Sequence, residues 1–231
     1  PTVLFNAMVK PWTAFPIKGV IWYQGEANVG RSEQYGDLFP ALITDWRRQW
    51  RSDFPFYFVQ LANFMESKKI QPDSEWAALR EAQTKALKLD QVGMAVTIDI
   101  GLADDIHPKN KQEVGRRLAL VALAGSYGKN VSSSAPVFQN YIIKGNKMEL
   151  DFGQKQDGFQ IKGTTLKGFT IAGPDRVFYP AEAMVHDGKI ILSSTEVPAP
   201  LAARYGWADN PDCNLYGENG LPVAPFRTDC W

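Results

Sequence analysis

The first half of the chain alternates short apolar runs with longer amphipathic ones. The apolar runs have the length and composition of buried strands, and they are Lys18–Gln24, Phe56–Leu61 and Val92–Ile98. Apolar residues at three- and four-residue spacing mark the helices between and after them, at Glu33–Trp50, Trp76–Leu89 and Gln112–Ser126. Strands that alternate with helices of this length pair in parallel through right-handed crossovers. The alternation therefore predicts an α/β layer over residues 1–128.

The pattern changes after Gly128. A linker-like cluster at Ser132–Pro136 is followed by short alternating stretches separated by turn signals. These stretches are Tyr141–Ile143, Met148–Phe152, Gly158–Ile161, Phe169–Ile171, Val177–Tyr179 and Lys189–Ser193. Several short strands at this pitch predict an antiparallel sandwich or partial barrel. The Asp187-Gly188 pair predicts a hairpin turn.

The last stretch, Tyr205–Trp231, is rich in Trp, Tyr, Asn, Gly and Pro. A free structureless end of that length is unusual, so we expect a loop that packs over another surface. His186 has no carboxylate at a useful spacing, and we interpret it as a strand-end or turn residue. The chain is thus expected to divide into an α/β domain over residues 1–130 and a small β-rich C-terminal domain over residues 131–231, whose loop-rich tail packs back.

Two loops that carry reactive groups directly follow predicted strands. Gln24–Asn28 follows the first strand and Ala103–His107 follows the third. Ligands of open parallel sheets bind beyond the carboxyl ends of the strands, where such loops meet. Both loops are therefore expected to open on the same edge of the sheet.

The second loop contains an Asp-x-x-His spacing. Asp104 lies three residues before His107, and Asp105 lies two residues before it. A hydrolase that activates a nucleophile needs an imidazole to accept the proton and a carboxylate to orient the ring. The alternative interpretation is structural, because Asp104 or Asp105 could cap the next helix.

Charge and composition exclude some classes of partner. The 25 basic and 25 acidic residues balance, and no Lys/Arg run is present, which argues against nucleic acid and anionic membranes. No apolar stretch is long enough to span a bilayer. No clustered His/Cys set of the zinc type occurs, and we expect neither a metal nor another cofactor. For Cys213 and Cys230, a disulfide and two free thiols are both compatible with the spacing.

Several blocks resemble the sialate O-acetylesterase family, which belongs to the SGNH/GDSL hydrolases. In the first half these blocks are W-Y-Q-G-E-A-N (Trp22–Asn28), F-P-A-L-I-T-D-W-R (Phe39–Arg47), F-P-F-Y-F-V-Q-L (Phe54–Leu61) and D-D-I-H-P (Asp104–Pro108). In the second half they are Leu166–Gly173, Arg204–Pro211, Cys213–Tyr216 and Leu221–Asp229. The resemblance runs through essentially all 231 residues.

This resemblance implies a serine carboxylesterase that removes O-acetyl groups from sialic acids or related acetylated glycans. The implied fold is an SGNH-like three-layer arrangement around a parallel sheet. His107 would be the general base and Asp104 its orienting carboxylate, which together form the Asp-His half of a Ser-His-Asp triad. An enzyme that acts on glycans is expected to be secreted, periplasmic or located in a lysosome-like organelle.

The Gln-Gly-Glu block is implied to serve the oxyanion. Gln24 and Gly25 match the family residues that bind the tetrahedral intermediate, where preorganised donors each contribute roughly 10²–10³ in rate. Glu26 carries no donor, so we expect it to anchor the loop. Asn28 is compatible with either role. Without the family context, this block would be interpreted as a strand-ending turn.

The chain departs from the family pattern at the nucleophile. No G-Q-S-N-M type block and no oxyanion glycine block precede Trp22, and Ser32 is interpreted as a helix N-cap. We therefore expect a sheet that is incomplete at its N-terminal side. The apolar runs Val20–Tyr23 and Phe56–Leu61 would then have exposed neighbours. We expect an N-terminal portion or a chain that carries the catalytic serine to fill this gap, or the chains to associate with each other.

A second function class stays open at this point. The chain could be a non-catalytic fragment or a carbohydrate-binding module. Four tail aromatics would then stack on sugar, namely Tyr205, Trp207, Tyr216 and Trp231.

Overall fold

A three-stranded parallel sheet organises the first half of the molecule. This computed structural model describes residues 2–153 and 158–231. The strands are β1 (Val20–Trp22), β2 (Phe56–Val59) and β3 (Val92–Ala95), and they pair in the order β1-β2-β3. The predicted parallel pairing is confirmed. Each strand is shorter than predicted.

The backbone contacts after β2 explain why the apolar run Phe56–Leu61 is longer than the regular strand. At Leu61 the backbone N–H donates to Gln83 Oε1 over 2.9 Å, and the carbonyl accepts from Arg80 Nε over 2.9 Å. These buried side chains take the place of a neighbouring strand. An apolar run therefore continues to Leu61 although the regular strand ends at Val59.

Three α-helices accompany the sheet: α1 (Ser32–Trp50), α2 (Glu75–Thr84) and α3 (Lys111–Gly125). Two shorter turns precede β1, a π-helical turn at Phe5–Val9 and a 3₁₀ turn at Lys10–Ala14. Another 3₁₀ turn, Lys85–Lys88, follows α2 directly, so the single helix predicted to reach Leu89 is in fact two elements.

The helix caps correct two interpretations of the sequence. Ser32 is the first helical residue of α1 and not its cap, since Arg31 occupies the capping position without a side-chain cap bond. Neither Asp104 nor Asp105 starts the third helix, because Asn110 caps α3 by accepting from the N–H of Glu113 over 3.1 Å. Helix α2 is capped by Ser74, whose Oγ accepts from the N–H of Ala77 over 3.0 Å.

The sheet is covered on both faces because the side chains of β2 alternate. Phe56 and Phe58 pack edge-on against Phe39 of α1, with ring centroids 6.0 and 5.1 Å away. From the same strand Tyr57 points to the other face, where its hydroxyl lies 2.7 Å from Ser126 Oγ at the end of α3. The first half is thus a helix–sheet–helix arrangement.

Among the described residues of the second half, all sheets are antiparallel. Their strands are β4 (Asn140–Lys144), β5 (Lys147–Asp151), β6 (Phe159–Ile161), β7 (Phe169–Ala172), β8 (Phe178–Pro180), β9 (Glu182–His186), β10 (Lys189–Ser193), β11 (Ala202–Tyr205), β12 (Leu215–Gly217) and β13 (Phe226–Arg227). Two four-stranded sheets have the orders β4-β5-β10-β9 and β13-β11-β7-β8, and β12 pairs with β6. Buried side chains of both larger sheets share one apolar core.

The predicted hairpin at Asp187-Gly188 is confirmed. It joins β9 to β10 with His186 opposite Lys189, and both central residues have positive φ, 48° and 73°. Such a turn matches the twist of the strands it connects. His186 ends β9, as interpreted from the sequence.

The tail is more regular than expected, because it contains β12 and β13 instead of loop alone. Strands of two and three residues are too short to show an alternating pattern. Both cysteines are free thiols, and burial raises the pKa of the Cys213 thiol to about 12. None of the helices in the described part of the chain is long and apolar enough to cross a membrane.

One buried arginine joins the tail to the parallel sheet. Arg80 of α2 is fully buried and donates to the carbonyls of Leu61 and Ala62, which follow β2, over 2.9 and 2.8 Å. It also donates to the tail carbonyls of Ala208 and Asp209 over 2.7 and 2.8 Å. Only a planar guanidinium presents enough donors for all four acceptors.

We predict that Arg80→Met lowers the free energy of unfolding by more than about 3 kcal/mol, because it removes four buried hydrogen bonds and leaves the carbonyls of Leu61 and Ala208 without a donor. Urea unfolding monitored by tryptophan fluorescence measures this change. Arg48→Met is the matched control, since its guanidinium is 77% exposed and should leave the midpoint unchanged. Equal midpoints for the two variants would contradict the role given to Arg80.

Candidate functional site

The loop after β1 needs a glycine at its turn. Gly25 has φ 155°, and a Cβ there would lie 3.2 Å from Gln83 Nε2 and 3.3 Å from Leu61 Cδ2. A 3₁₀ turn, Glu26–Asn28, follows directly. The turn therefore packs closely on the end of β2, and a larger residue at position 25 would push it away.

The side chain of Gln24 is held in a defined orientation. Its Nε2 donates to Asn28 Oδ1 over 2.7 Å, and the Tyr35 hydroxyl donates to its Oε1 over 3.2 Å. The backbone carbonyl of Gln24 accepts from Gln83 Nε2 over 3.3 Å. An amide nitrogen carries two hydrogens, so one donor of Gln24 remains beyond the bond to Asn28. Asn28 thus supports Gln24 within the loop.

Two tyrosines around this loop are kept protonated. Burial raises the pKa of Tyr23 to about 12, and the negative charge of Glu26 adds to the shift. Burial likewise raises the pKa of Tyr35 to about 12, again with a smaller contribution from Glu26. Both hydroxyls therefore remain donors at neutral pH, which maintains the bond between Tyr35 and Gln24.

The second candidate loop presents its imidazole to solvent. The side chain of His107 is 84% exposed, and Asp105 Oδ1 lies 3.6 Å from its Nδ1. The same Asp105 carboxylate accepts the His107 backbone N–H over 2.9 Å, which lowers the pKa of Asp105. Among the ion pairs of residues 2–153 and 158–231, none joins Asp104 to His107. The nearest carboxylate to the ring is thus Asp105, and the orienting role of Asp104 stays a prediction.

A buried ion pair fixes the base of this loop. Arg117 of α3 makes two bonds to the Asp99 carboxylate, of 2.6 and 2.9 Å, and donates to the Val96 carbonyl over 2.7 Å. Glu113 lies one turn earlier and accepts from Arg117 Nε over 2.8 Å. From the second half of the chain, the Tyr216 hydroxyl donates to Asp99 over 3.1 Å. Arg117 and Asp99 were not singled out in the sequence, since they lie 18 positions apart along the chain.

The two candidate loops lie at the same edge of the sheet. They follow β1 and β3, which flank β2 in parallel, so their carboxyl ends point the same way. Lys111, four residues after His107, places its ammonium 4.8 Å from the ring centroid of Tyr23, which precedes Gln24. Ile106 also packs against the core cluster that includes Tyr23. The arrangement puts an amide donor and an open imidazole on one surface.

The tail aromatics do not form a platform for sugar. Tyr205 and Tyr216 are 1% and 5% exposed, so their ring faces are not available. Trp207 lies near the guanidinium groups of Arg204 and Arg227, at 5.1 and 4.7 Å from its ring. Stacking on sugar by all four aromatics, as considered from the sequence, is therefore not possible in this fold.

Comparison with known proteins places this geometry in context. The family model described as carbohydrate esterase, sialic acid-specific acetylesterase, matches residues 2–124. The sialate O-acetylesterases of Mus musculus and Homo sapiens are each 32% identical over 97% of this chain, covering 47% and 48% of their own lengths. The crystal structure of a carbohydrate acetylesterase from Xanthomonas citri is 46% identical, with a TM-score of 0.94 over 100% of this chain and 55% of its own. The chain thus spans about half the length of the relatives it matches.

The ion pairs of Glu113 predict a pH dependence of stability. Hydrogen bonds and charge from Arg116 and Arg117 lower the pKa of Glu113 from 4.5 to about 2. Because the folded-state pKa lies below the unfolded one, this carboxylate stabilises the fold above pH 4.5 and stops doing so as the pH falls toward 2. The difference in unfolding free energy between wild type and Glu113→Gln should therefore shrink as the pH falls.

Urea unfolding at a series of pH values between 7 and 3 measures that difference. Glu66→Gln is the control, at an exposed carboxylate for which the described residues provide no ion pair. Its difference from wild type should stay constant. A constant difference for Glu113→Gln as well would show that the arginines do not stabilise its charged form.

Proposed function

Because this chain belongs to the carbohydrate esterase family of sialic acid-specific acetylesterases, we propose that it supplies the acid–base half of a sialate O-acetylesterase-like enzyme. In this proposal the substrate is O-acetylated sialic acid or another acetylated glycan. His107 is the general base, Asp104 orients it, and the serine comes from a portion outside this sequence. A glycan substrate places the enzyme outside the cell, in the periplasm or in a lysosome-like organelle.

The observation that carries the proposal is the open imidazole of His107 beside a carboxylate, at the edge that also holds Gln24. A general base must reach the proton that it removes, so one ring nitrogen has to face the nucleophile. Asp105 lies on the Nδ1 side, which leaves Nε2 for a serine hydroxyl. The Asp105 carboxylate already accepts the backbone N–H of His107. We therefore assign the orienting role to Asp104 when the serine-bearing portion covers the imidazole ring.

The proposed reaction follows the logic of a serine esterase. His107 Nε2 accepts the serine proton while the serine oxygen bonds to the acetyl carbonyl carbon. The resulting oxyanion is stabilised by the remaining Gln24 amide hydrogen and by the Gly25 turn. Collapse breaks the ester bond, and the imidazolium returns the proton to the departing sugar hydroxyl. Water then hydrolyses the acetyl-serine with His107 again as the base. Glu26 maintains the loop and takes no part in bond making.

The open side of the sheet supports a partner at β1. This strand is at the edge of the sheet, and Ile21 at its centre is 70% exposed. The segment before it exposes further large apolar side chains, including Val3, Trp12 and Phe15, at 59–74%. Exposed apolar edges of this kind pair with additional strands. We propose that the serine-bearing portion, in the same protein or as a separate chain, adds to the sheet here.

We predict that His107→Ala and Asp104→Asn each lower kcat for p-nitrophenyl acetate by roughly 10³–10⁴-fold when the serine-bearing portion is present. Asp105→Asn should stay within several-fold of wild type, because an amide oxygen still accepts the His107 backbone N–H. Steady-state kinetics of the three variants measures the effect. A large loss for Asp105→Asn with little loss for Asp104→Asn would reassign the orienting carboxylate to Asp105.

The edge proposal predicts that Ile21→Asp prevents association with the serine-bearing portion without unfolding this chain. A charge at the centre of an open edge strand opposes strand addition but is tolerated by a residue that is 70% exposed. Analytical ultracentrifugation of mixtures, with p-nitrophenyl acetate hydrolysis in parallel, measures both effects. Ile142→Asp is the control, on the exposed strand β4 of the other half. Unchanged association for Ile21→Asp would refute docking at β1.

A further inference from the structure

A chain of three hydrogen bonds joins the tail to the loop that carries His107. Asn63, just after β2, accepts from the backbone N–H of Gly101 through Oδ1 over 2.7 Å. Its Nδ2 donates to Asn210 Oδ1 over 2.7 Å. Asn210 in turn donates from Nδ2 to the Met65 carbonyl over 2.6 Å. Each asparagine thus uses both ends of its amide, which fixes its orientation.

The backbones on either side of this contact are packed closely. A Cβ on Gly101 would lie 1.8 Å from the Asn63 carbonyl oxygen, so no other residue fits at this distance. The next residue, Leu102, forms an isolated parallel bridge to Phe64. Phe64 is itself tied to the tail, because its N–H donates to the Asp209 carbonyl over 3.2 Å. Residues 101–102 therefore pack directly against residues 63–64, in a fixed position beyond the carboxyl end of β2.

We infer that Asn63 is a positioning residue for the proposed esterase, held in place by Asn210, and that it sets the position of the Asp104–His107 loop. The inference rests on the proposed function. Gly101 precedes Asp104 by three residues, so a shift at Gly101 displaces the carboxylate and the imidazole together. A misplacement of about 1 Å in a catalytic group can cost roughly 10²-fold in rate. The tail thereby takes part in positioning the proposed base.

The surrounding fold does not depend on the hydrogen bonds of Asn63 and Asn210. The end of β2 is held separately by Arg80 and Gln83, and the base of the loop is held by Asp99 and Arg117. Loss of the Asn63 amide is therefore expected to free the loop locally and to leave the sheet intact. This separation allows the positioning role to be tested without unfolding the chain.

The direct test is amide hydrogen exchange of Gly101, followed by NMR on this chain. We expect Asn63→Ala to speed that exchange by roughly 10-fold and Asn210→Ala by about 3-fold, with amides of β2 unchanged. Asn63→Asp retains an acceptor for the Gly101 N–H but loses the donor to Asn210, so its exchange should be about as fast as in Asn210→Ala and slower than in Asn63→Ala. Asn219→Ala is the matched control: Asn219 also makes three bonds in the second half of the chain, to Ser132, Ser134 and Leu221. Unchanged Gly101 exchange in Asn63→Ala would overturn the inference.

Kinetics with the serine-bearing portion present tests the consequence for the reaction. Asn63→Ala should lower kcat for p-nitrophenyl acetate by roughly 10-fold or more with KM within about twofold, while Asn63→Asp loses less than Asn63→Ala and Asn219→Ala stays near wild type. Equal losses in Asn63→Ala and Asn219→Ala, or no loss in either, would overturn the positioning role. If the wild-type mixture itself is inactive, the proposed function fails, and the Gly101 exchange still decides whether Asn63 holds the loop.

Discussion

The guanidinium of Arg80 is the contact on which the arrangement of this molecule depends. It is fully buried, and its four bonds go to backbone carbonyls, two after β2 and two in the tail. Gln83 lies one turn further along α2 and bonds both to Leu61 N–H and to the Gln24 carbonyl. Residues three apart on a helix share a face, so one face of α2 holds the tail and the first candidate loop to the same strand end. The first candidate loop and the tail therefore share a single buried support.

Two charge pairs of the fold are buried or nearly buried, and one of them lies at the base of the His107 loop. They are Arg117 with Asp99 and Arg204 with Asp229, each joined by two bonds. Breaking such a pair leaves an uncompensated buried charge, which makes these groups suited to holding loops in place. His107, in contrast, is open to solvent. The rigid pair of Arg117 and Asp99 below an accessible base is the arrangement that a preorganised site requires.

The sequence predicted those parts of the molecule that local patterns encode. The strand–helix alternation, the parallel sheet and the Asp187-Gly188 hairpin all arise from residues near one another in the chain. The hydrogen bond between Asn63 and Asn210 joins residues 147 positions apart, and no periodicity or spacing in the sequence indicates a contact of that kind. The two- and three-residue strands of the tail were missed because their pairing comes from tertiary packing. The Asp-x-x-His spacing identified a candidate base, while the choice between Asp104 and Asp105 depends on a partner surface that local sequence does not describe.

The central claim is that His107 and Gln24 serve one reacting centre whose serine comes from outside this chain. The most direct measurement is a crystal structure of this chain with the serine-bearing portion, after reaction with an acetyl-ester-mimicking phosphonate. We predict a phosphonylated serine whose phosphonyl oxygen accepts from the Gln24 amide, with His107 Nε2 within roughly 3 Å of the serine oxygen. An adduct that lies away from both side chains, or a partner that docks at a surface other than β1, would contradict it.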